Sequence, residues 1–270
     1  MQRSFCRKPR CSESCRRQEG INRAGSGLGV PGRRWKGSCM GEAPKEDKKR
    51  VQLAVFDYDG TCIDGQSGAL FSLYLFRHNY LGVATGLRLG WWGARYKLHL
   101  PYRQDEAREV IFSALSRYSP EEIRQIMVDF HNEVLIKRYR KEAIAEVAKR
   151  KREGCVTVLV SATFEVIALC AQEVLGTDAV IATKMEVDPE GNYTGRVEGD
   201  VTQGSEKPRA VKEWADGAFG PGNWEVAYAY GDHFSDYAML KTAKHGYAVT
   251  PGQTLERAAK REGFPILEWK

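Results

Sequence analysis

Val51-Gln52-Leu53-Ala54-Val55-Phe56-Asp57-Tyr58-Asp59-Gly60-Thr61 is the stretch from which the rest of this chain is read. Its apolar run predicts a buried strand, and the run ends in two carboxylates two residues apart. Residues i and i+2 of a strand project to the same side, so Asp57 and Asp59 are expected to face one site. Like charges held that close repel, and their protonation equilibria separate unless a cation neutralises them. Mg²⁺ suits such a pair, because it is a hard cation held by one or two carboxylates, waters and substrate phosphate. One Asp is then free to act as a nucleophile and the other to move a proton. Gly60 allows the sharp turn that brings main-chain groups near a ligand.

Three later segments have related features. Val156-Thr157-Val158-Leu159-Val160-Ser161-Ala162-Thr163 is a second apolar strand, ending in a small hydroxyl residue. On its own such a Ser after a strand is more often an ordinary helix cap. Gly204-Ser205-Glu206-Lys207-Pro208-Arg209-Ala210-Val211 places a Lys at a helix start, with Pro208 in the first turn. Arg209 and Lys212 are the alternative cations there. Val226-Ala227-Tyr228-Ala229-Tyr230-Gly231-Asp232-His233-Phe234-Ser235-Asp236 is a third strand that ends in carboxylates.

In this order the four segments resemble the motifs of the haloacid dehalogenase-like (HAD) hydrolase superfamily, over about Val51 to Lys270. The resemblance implies that Asp57 is the nucleophile and Asp59 the general acid and base. It implies that Thr61, Ser161, Ala162 and Lys207 hold the phosphoryl group. It assigns Mg²⁺ to Asp57, Asp59 (through its carbonyl), Asp232 and Asp236, the last acting through water or by orienting the others. His233 stands where related phosphatases often carry Ser, and either touches substrate or caps the loop. An Asp at position 59 favours phosphatases and phosphomutases over the superfamily's dehalogenases and its ATPase pumps. The cap and the motif spacing look most like the phosphoserine-phosphatase-related branch, subfamily IB. Phosphoserine phosphatases usually carry a Glu shortly after the first motif to hold the substrate amine. Here that neighbourhood reads Asp64-Gly65-Gln66-Ser67, so strict phosphoserine specificity is not expected unless Asp64 compensates.

The chain has 270 residues, enough for one large or two small domains. Its net charge of +6 is unevenly placed. Residues 1–50 hold 14 Lys or Arg against 5 Asp or Glu, which leaves residues 51–270 at −3. The basic character therefore belongs to the N-terminal segment, and no nucleic-acid partner is expected. That segment lacks helical or strand periodicity and is expected to be a disordered extension. Met40 is a candidate natural start. Cys6, Cys11 and Cys15 lack the spacing of a zinc site. Seven Cys, irregularly spaced, fit a reducing, cytoplasmic setting. No stretch reads as a transmembrane span, and the basic N-terminus lacks the apolar segment of a secretory signal.

The expected fold class is α/β: a HAD-like three-layer Rossmannoid core with a mostly parallel sheet, over residues 51–66 and 140–270, with a helical cap inserted at 67–139. Ser119-Pro120-Glu121-Glu122 is a helix start. Helices are expected at Lys141 to Arg152 and about Phe164 to Leu175. A strand is expected at Val156 to Val160, and a hairpin from Val180–Val187 and Tyr193–Val197. Helix, strand, helix and strand follow to the end. Alternating strands and helices imply a largely parallel sheet, with ligands at the strands' C-terminal ends.

The reading that results is a phosphomonoester hydrolase acting on a small phosphorylated metabolite. Two alternatives stand beside it. The segment Tyr80 to Leu100 combines Arg88, Trp91, Trp92, Arg95, Tyr96 and Lys97 with Gly82, Gly86 and Gly90. Aromatic and basic residues together suit an interfacial helix near anionic headgroups, with peripheral membrane contact. The segment resembles the cap region of branch members linked to phospholipid phosphates, phosphatidylglycerophosphate phosphatases among them, which implies a phospholipid headgroup as substrate. Glycines four apart permit close helix approach. The same pattern also suits a packed cap core with a solvated basic face. The second alternative is a non-catalytic binding module on the same fold, against which the retention of all five motif charges argues.

Overall fold

The computed structural model describes residues 50–97, 106–115, 117–199 and 202–270. Apart from Arg50, the basic extension and the candidate start at Met40 lie outside the described residues.

Strand β1 (Val51–Asp57) is buried from Leu53 onward on both of its faces. Leu53 and Val55 join one apolar cluster, and Ala54 and Phe56 join another. This is the period-two alternation of a strand covered by helices on either side. The chain then runs through four helices, α1 (Ser67–Arg77), α2 (Val83–Lys97), α3 (Glu106–Leu115) and α4 (Pro120–Phe130). A π turn (His131–Leu135) and a 3₁₀ turn (Ile136–Arg138) follow. Next come α5 (Lys141–Arg152), β2 (Val156–Phe164), α6 (Glu165–Leu175) and the antiparallel pair β3 (Ala179–Val187) and β4 (Tyr193–Glu198). The remainder is α7 (Glu206–Phe219), β5 (Trp224–Gly231), α8 (Tyr237–Thr242), β6 (His245–Val249), α9 (Gln253–Glu262) and β7 (Ile266–Leu267).

The seven strands form one sheet in the order β4-β3-β2-β1-β5-β6-β7, parallel except at β3–β4. From β1 the chain steps outward through β2 to one edge, then returns to β5 and steps to the other. The direction reverses at β1, so a crevice is expected at its C-terminal end. Val211 of α7, Met239 and Leu240 of α8 and Leu255 of α9 pack with Leu53, Val158 and Val160 on one face. Val147 of α5 and Ile167 of α6 pack with Phe56 and Leu159 on the other. Phe71 and Leu75 of α1, and Ile123, Met127 and Phe130 of α4, join that second cluster. These helices are therefore seated on the sheet-side core.

Local sequence accounts for several boundaries. Ser119 caps α4: its Oγ accepts from the Glu122 N–H, and the Glu122 carboxylate accepts from the Ser119 N–H at 2.7 Å. Gly176 and Gly263 close α6 and α9 in the left-handed conformation. Beyond Val197 the chain carries one more helix and strand than expected, α9 and β7. The two-residue β7 is too short to show any periodicity. No helix among the described residues is long and apolar enough to cross a membrane.

Candidate active site

Asp57 ends β1 and is buried; Asp232 follows the last residue of β5. Parallel pairing of β1 with β5 brings the two strand ends side by side. The approach is so close that a Cβ on Gly60, which has φ +79°, would lie 2.0 Å from Asp232 Oδ2. Gly231 is constrained in the same way, since a Cβ there would lie 2.6 Å from the Asp236 Cβ. Both motif glycines are needed because carboxylates occupy the space a side chain would fill.

Lys207, in the first turn of α7, is buried between two of these acids. Its Nζ donates to Asp57 Oδ1 and, at 2.6 Å, to Asp236 Oδ1. Arg209 and Lys212 instead pair with helix neighbours, Glu206 and Asp216. Thr61 Oγ1 donates to Asp57 Oδ2 at 3.1 Å and reaches Asp232 Oδ1 at 3.5 Å. Thr61 thus ties two carboxylates together in this state. The Asp236 carboxylate also accepts from the His233 N–H at 3.2 Å. The His233 ring caps the turn, accepting from Ser235 N–H.

Asp59 is held differently. Its carboxylate accepts from the Ser67 N–H at 2.6 Å and the Ser67 hydroxyl at 2.9 Å, at the start of α1. A helix N-terminus favours a negative charge. Ser67 Oγ lies 2.9 Å from Thr163 Oγ1 of β2, which links α1 to the sheet. Sequence reading did not single out Ser67 or Thr163. A Ser at a helix start eight residues after an Asp is a weak local signal for the first. The second is joined across 96 residues and leaves no local signal.

Ser161 is buried next to the Val160–Asp57 pairing, with its Oγ accepting from the Thr163 N–H at 3.0 Å. Ala162 and Thr163, not Ser161, reach the cavity that holds Asp57, Asp59, Lys207, Asp232 and Asp236. Asp64 does not line that cavity; its carboxylate faces Arg140 at 3.5 Å.

Burial raises the Asp57 carboxyl well above the usual range, the Asp236 and Asp232 charges add to it, and Lys207 opposes them. Burial and the Asp236 charge push Asp232 up to about 7 against the same opposition. Burial works against the Lys207 ammonium, but Asp236 and Asp57 outweigh it, so its pKa is raised. Asp57, Asp232 and Asp236 can each place one oxygen within 4.8 Å of the others. These three carboxylates and one ammonium leave two negative charges unbalanced when all are ionised. An all-oxygen donor set with that deficit fits a hard divalent cation such as Mg²⁺.

The description haloacid dehalogenase-like hydrolase belongs to the family whose model matches residues 54–241. The chain is 26% identical over 224 residues to a histidinol-phosphatase of Neisseria meningitidis serogroup C (strain 8013), covering 81% of this chain and 99% of that protein. It is 28% identical over 220 residues to a probable phosphatase of Mycobacterium tuberculosis, covering 80% of this chain and 75% of that one. Among solved structures, a Bordetella pertussis Tohama I protein of unknown function has a TM-score of 0.73 and 25% identity, over 81% of this chain and 99% of its own. A substrate-bound phosphoserine phosphatase shares the fold at TM-score 0.56 and 19% identity, over 83% and 94%. With more than half its length matched by the family, this chain is a member of the haloacid dehalogenase-like hydrolases.

Proposed function

We propose that the chain is a Mg²⁺-dependent phosphomonoester hydrolase of the phosphoserine-phosphatase-related branch, working through an aspartyl-phosphate on Asp57. The observation that carries this reading is the position of Lys207, which joins Asp57 to Asp236 beside Asp232, while Ser67 holds Asp59 separately at the same cavity. Two carboxylates in different environments suit two roles.

Asp57 attacks phosphorus, forming an acyl-phosphate bond as the bond to the leaving oxygen breaks. Asp59 gives its proton to that oxygen. It then takes a proton from water, whose oxygen attacks phosphorus and releases Asp57. Lys207 offsets negative charge on Asp57 and on the phosphoryl oxygens, where stabilisation matters most. Ala162 lines the cavity where the phosphoryl group would sit, with Ser161 and Thr61 buried behind it. Asp57, Asp232 and the Asp59 carbonyl would hold Mg²⁺, with Asp236 positioning Lys207. When bound, that ion lowers the repulsion between an anionic nucleophile and an anionic phosphate. The helices of 67–139 act as a cap that limits water at the site.

The names of the relatives favour a small phosphorylated metabolite. A phospholipid phosphate is the second reading. It is favoured by exposed apolar side chains on α1 and α2, including Trp91 at 62% exposure. The test is phosphate release from phosphoserine, histidinol phosphate, sugar phosphates, nucleotides and phosphatidylglycerophosphate, with and without Mg²⁺. Asp57→Asn is the control. Mg²⁺-dependent release that vanishes in the variant supports the proposal, and no release from any compound by folded protein contradicts it.

A further inference from the structure

The carboxylate site is the floor of a cavity of about 920 Å³, near the upper end of the ~300–1,000 Å³ of small-molecule sites. A phosphate group needs only the floor. Above it, Phe71, Phe76, Leu81, Leu89, Trp92 and Ile111 line the space. From α1 to α3 the described lining residues include no Asp, Glu, Lys or Arg. Gln66, Ser67 and Ser72 are uncharged, and Ser67 is already engaged with Asp59. The nearest extra carboxylate by sequence, Asp64, points to Arg140 outside the cavity.

This lining conflicts with a small zwitterionic substrate. A buried ammonium or carboxylate without a partner is costly, and among the described lining residues the carboxylates are at the floor, where phosphate and metal compete for them. An apolar body, in contrast, is stabilised along the whole wall. The wall also continues outward. Leu73, Val83 and Leu87 line the cavity at 44%, 71% and 71% exposure, so its mouth is apolar as well. Exposed apolar surface joined to a functional cavity marks a binding surface.

Building on the phosphatase reading, we infer that the substrate is an amphiphilic phosphomonoester, whose phosphate sits on the Asp57 floor while an apolar alcohol body fills the space under α1 to α3. The shared chemistry is a phosphate on an apolar chain, drawn either from solution or from a bilayer.

The experiment measures kcat/KM for monomeric ethyl, butyl, hexyl and octyl phosphate, with phosphoserine and histidinol phosphate alongside. Each added methylene is expected to raise kcat/KM about fourfold until the cavity is filled, the factor that corresponds to about 0.8 kcal/mol per buried CH₂. Both amino-bearing esters fall below butyl phosphate. A flat or falling chain-length profile, with either amino ester preferred, overturns the inference and leaves the phosphatase reading intact. No release from any compound overturns the phosphatase reading. Calorimetric binding of the same series to Asp57→Asn still reads the cavity in that case: tightening with chain length supports an apolar site, and uniform affinity rejects it.

Two variants locate the effect. A Cβ at Gly90 meets nothing within 4 Å, so Gly90→Phe extends into open space. It should cut the octyl-to-ethyl ratio by about tenfold or more, the loss of two or more buried methylenes. Leu87→Ser, at an exposed position, should cut it by about threefold to fivefold, roughly one methylene. An unchanged ratio in both, with folded protein, contradicts the assignment. Octyl phosphate monomers and a long-chain lipid phosphate in phosphatidylcholine vesicles distinguish the two sources: faster turnover in vesicles assigns the rim to a bilayer, and faster turnover of the monomer assigns it to a soluble amphiphile.

Discussion

At the floor of the cavity, Asp57, Asp59, Asp232 and Asp236 meet Lys207 at the ends of β1 and β5 and the start of α7. Over the same cavity, the described lining from α1 to α3 carries no charged side chain. The floor is polar and tightly constrained: a Cβ on Gly60 or Gly231 would overlap a carboxylate group. The wall is roomy, since a Cβ on Gly90 or Gly93 meets nothing within 4 Å. The contrast separates two tasks. On the proposed reading, the floor acts on a phosphate and the wall selects what the phosphate is attached to.

The largest effect expected on this contrast comes from Asp57→Asn. It should lower kcat by roughly 10⁴-fold or more on every phosphomonoester, as loss of a nucleophile does, measured by phosphate release. A loss confined to some substrates would place Asp57 in recognition instead of chemistry. Lys207→Met comes next. It should lower kcat by about 10²–10³-fold, the scale of one lost charge-stabilising group. In chemical denaturation without Mg²⁺ it should also cost about 3 kcal/mol, because two buried carboxylates lose their partner. Wild-type stability in the variant would show that the ammonium is not what holds the floor together.

Ser67→Ala removes one donor from the Asp59 carboxylate and leaves the wall in place. A charge-assisted hydrogen bond of about 1.5–3 kcal/mol predicts a fall in kcat of roughly tenfold or more with KM little changed. A rise in KM alone would assign Ser67 to substrate binding. On the wall, Trp91→Ala should change stability by less than about 0.5 kcal/mol, as exposed positions do. Phe71→Ala, fully buried beside Phe130 and Phe164, should cost about 3–5 kcal/mol by thermal or urea unfolding.

The pKa of Asp57 is raised well above its ordinary 3.8 and that of Asp232 from 3.8 to about 7, so the metal-free fold binds protons that the unfolded chain has lost. Groups raised in this way favour folding at low pH, and for Asp232 that contribution is lost as pH rises from about 4 through about 7. Mg²⁺ replaces the protons. The thermal shift it produces should therefore be larger at pH 8 than at pH 5, and equal shifts would contradict a carboxylate floor that trades protons for the ion.

The floor was largely legible in the sequence because its parts are local. An apolar run ending in Asp57, or in Gly231 and Asp232, marks a strand end, and parallel pairing then brings the ends together. Thr61 was legible as a residue of the floor, but its bonds to the Asp57 and Asp232 carboxylates were not. The wall was far less legible. Glycines at 82, 86 and 90 suggested close helix approach, yet only at Gly86 would a Cβ crowd a neighbouring helix, at 3.1 Å from the Phe76 ring. Trp91 and Trp92 are adjacent in sequence, but only Trp92 lines the cavity while Trp91 is exposed. Which way each faces depends on how α1, α2 and α3 settle on one another, and no short spacing encodes that.

In the proposed reaction Asp57 carries the phosphoryl group. The most direct test is acid quench of the enzyme turning over labelled substrate with Mg²⁺, followed by reductive trapping and peptide mass spectrometry. Expected are a hydroxylamine-sensitive acyl phosphate in the quenched protein and, after reduction, conversion of Asp57 to homoserine, both absent in Asp57→Asn. An adduct on another residue, or none during confirmed turnover at millisecond quench times, would contradict that reaction.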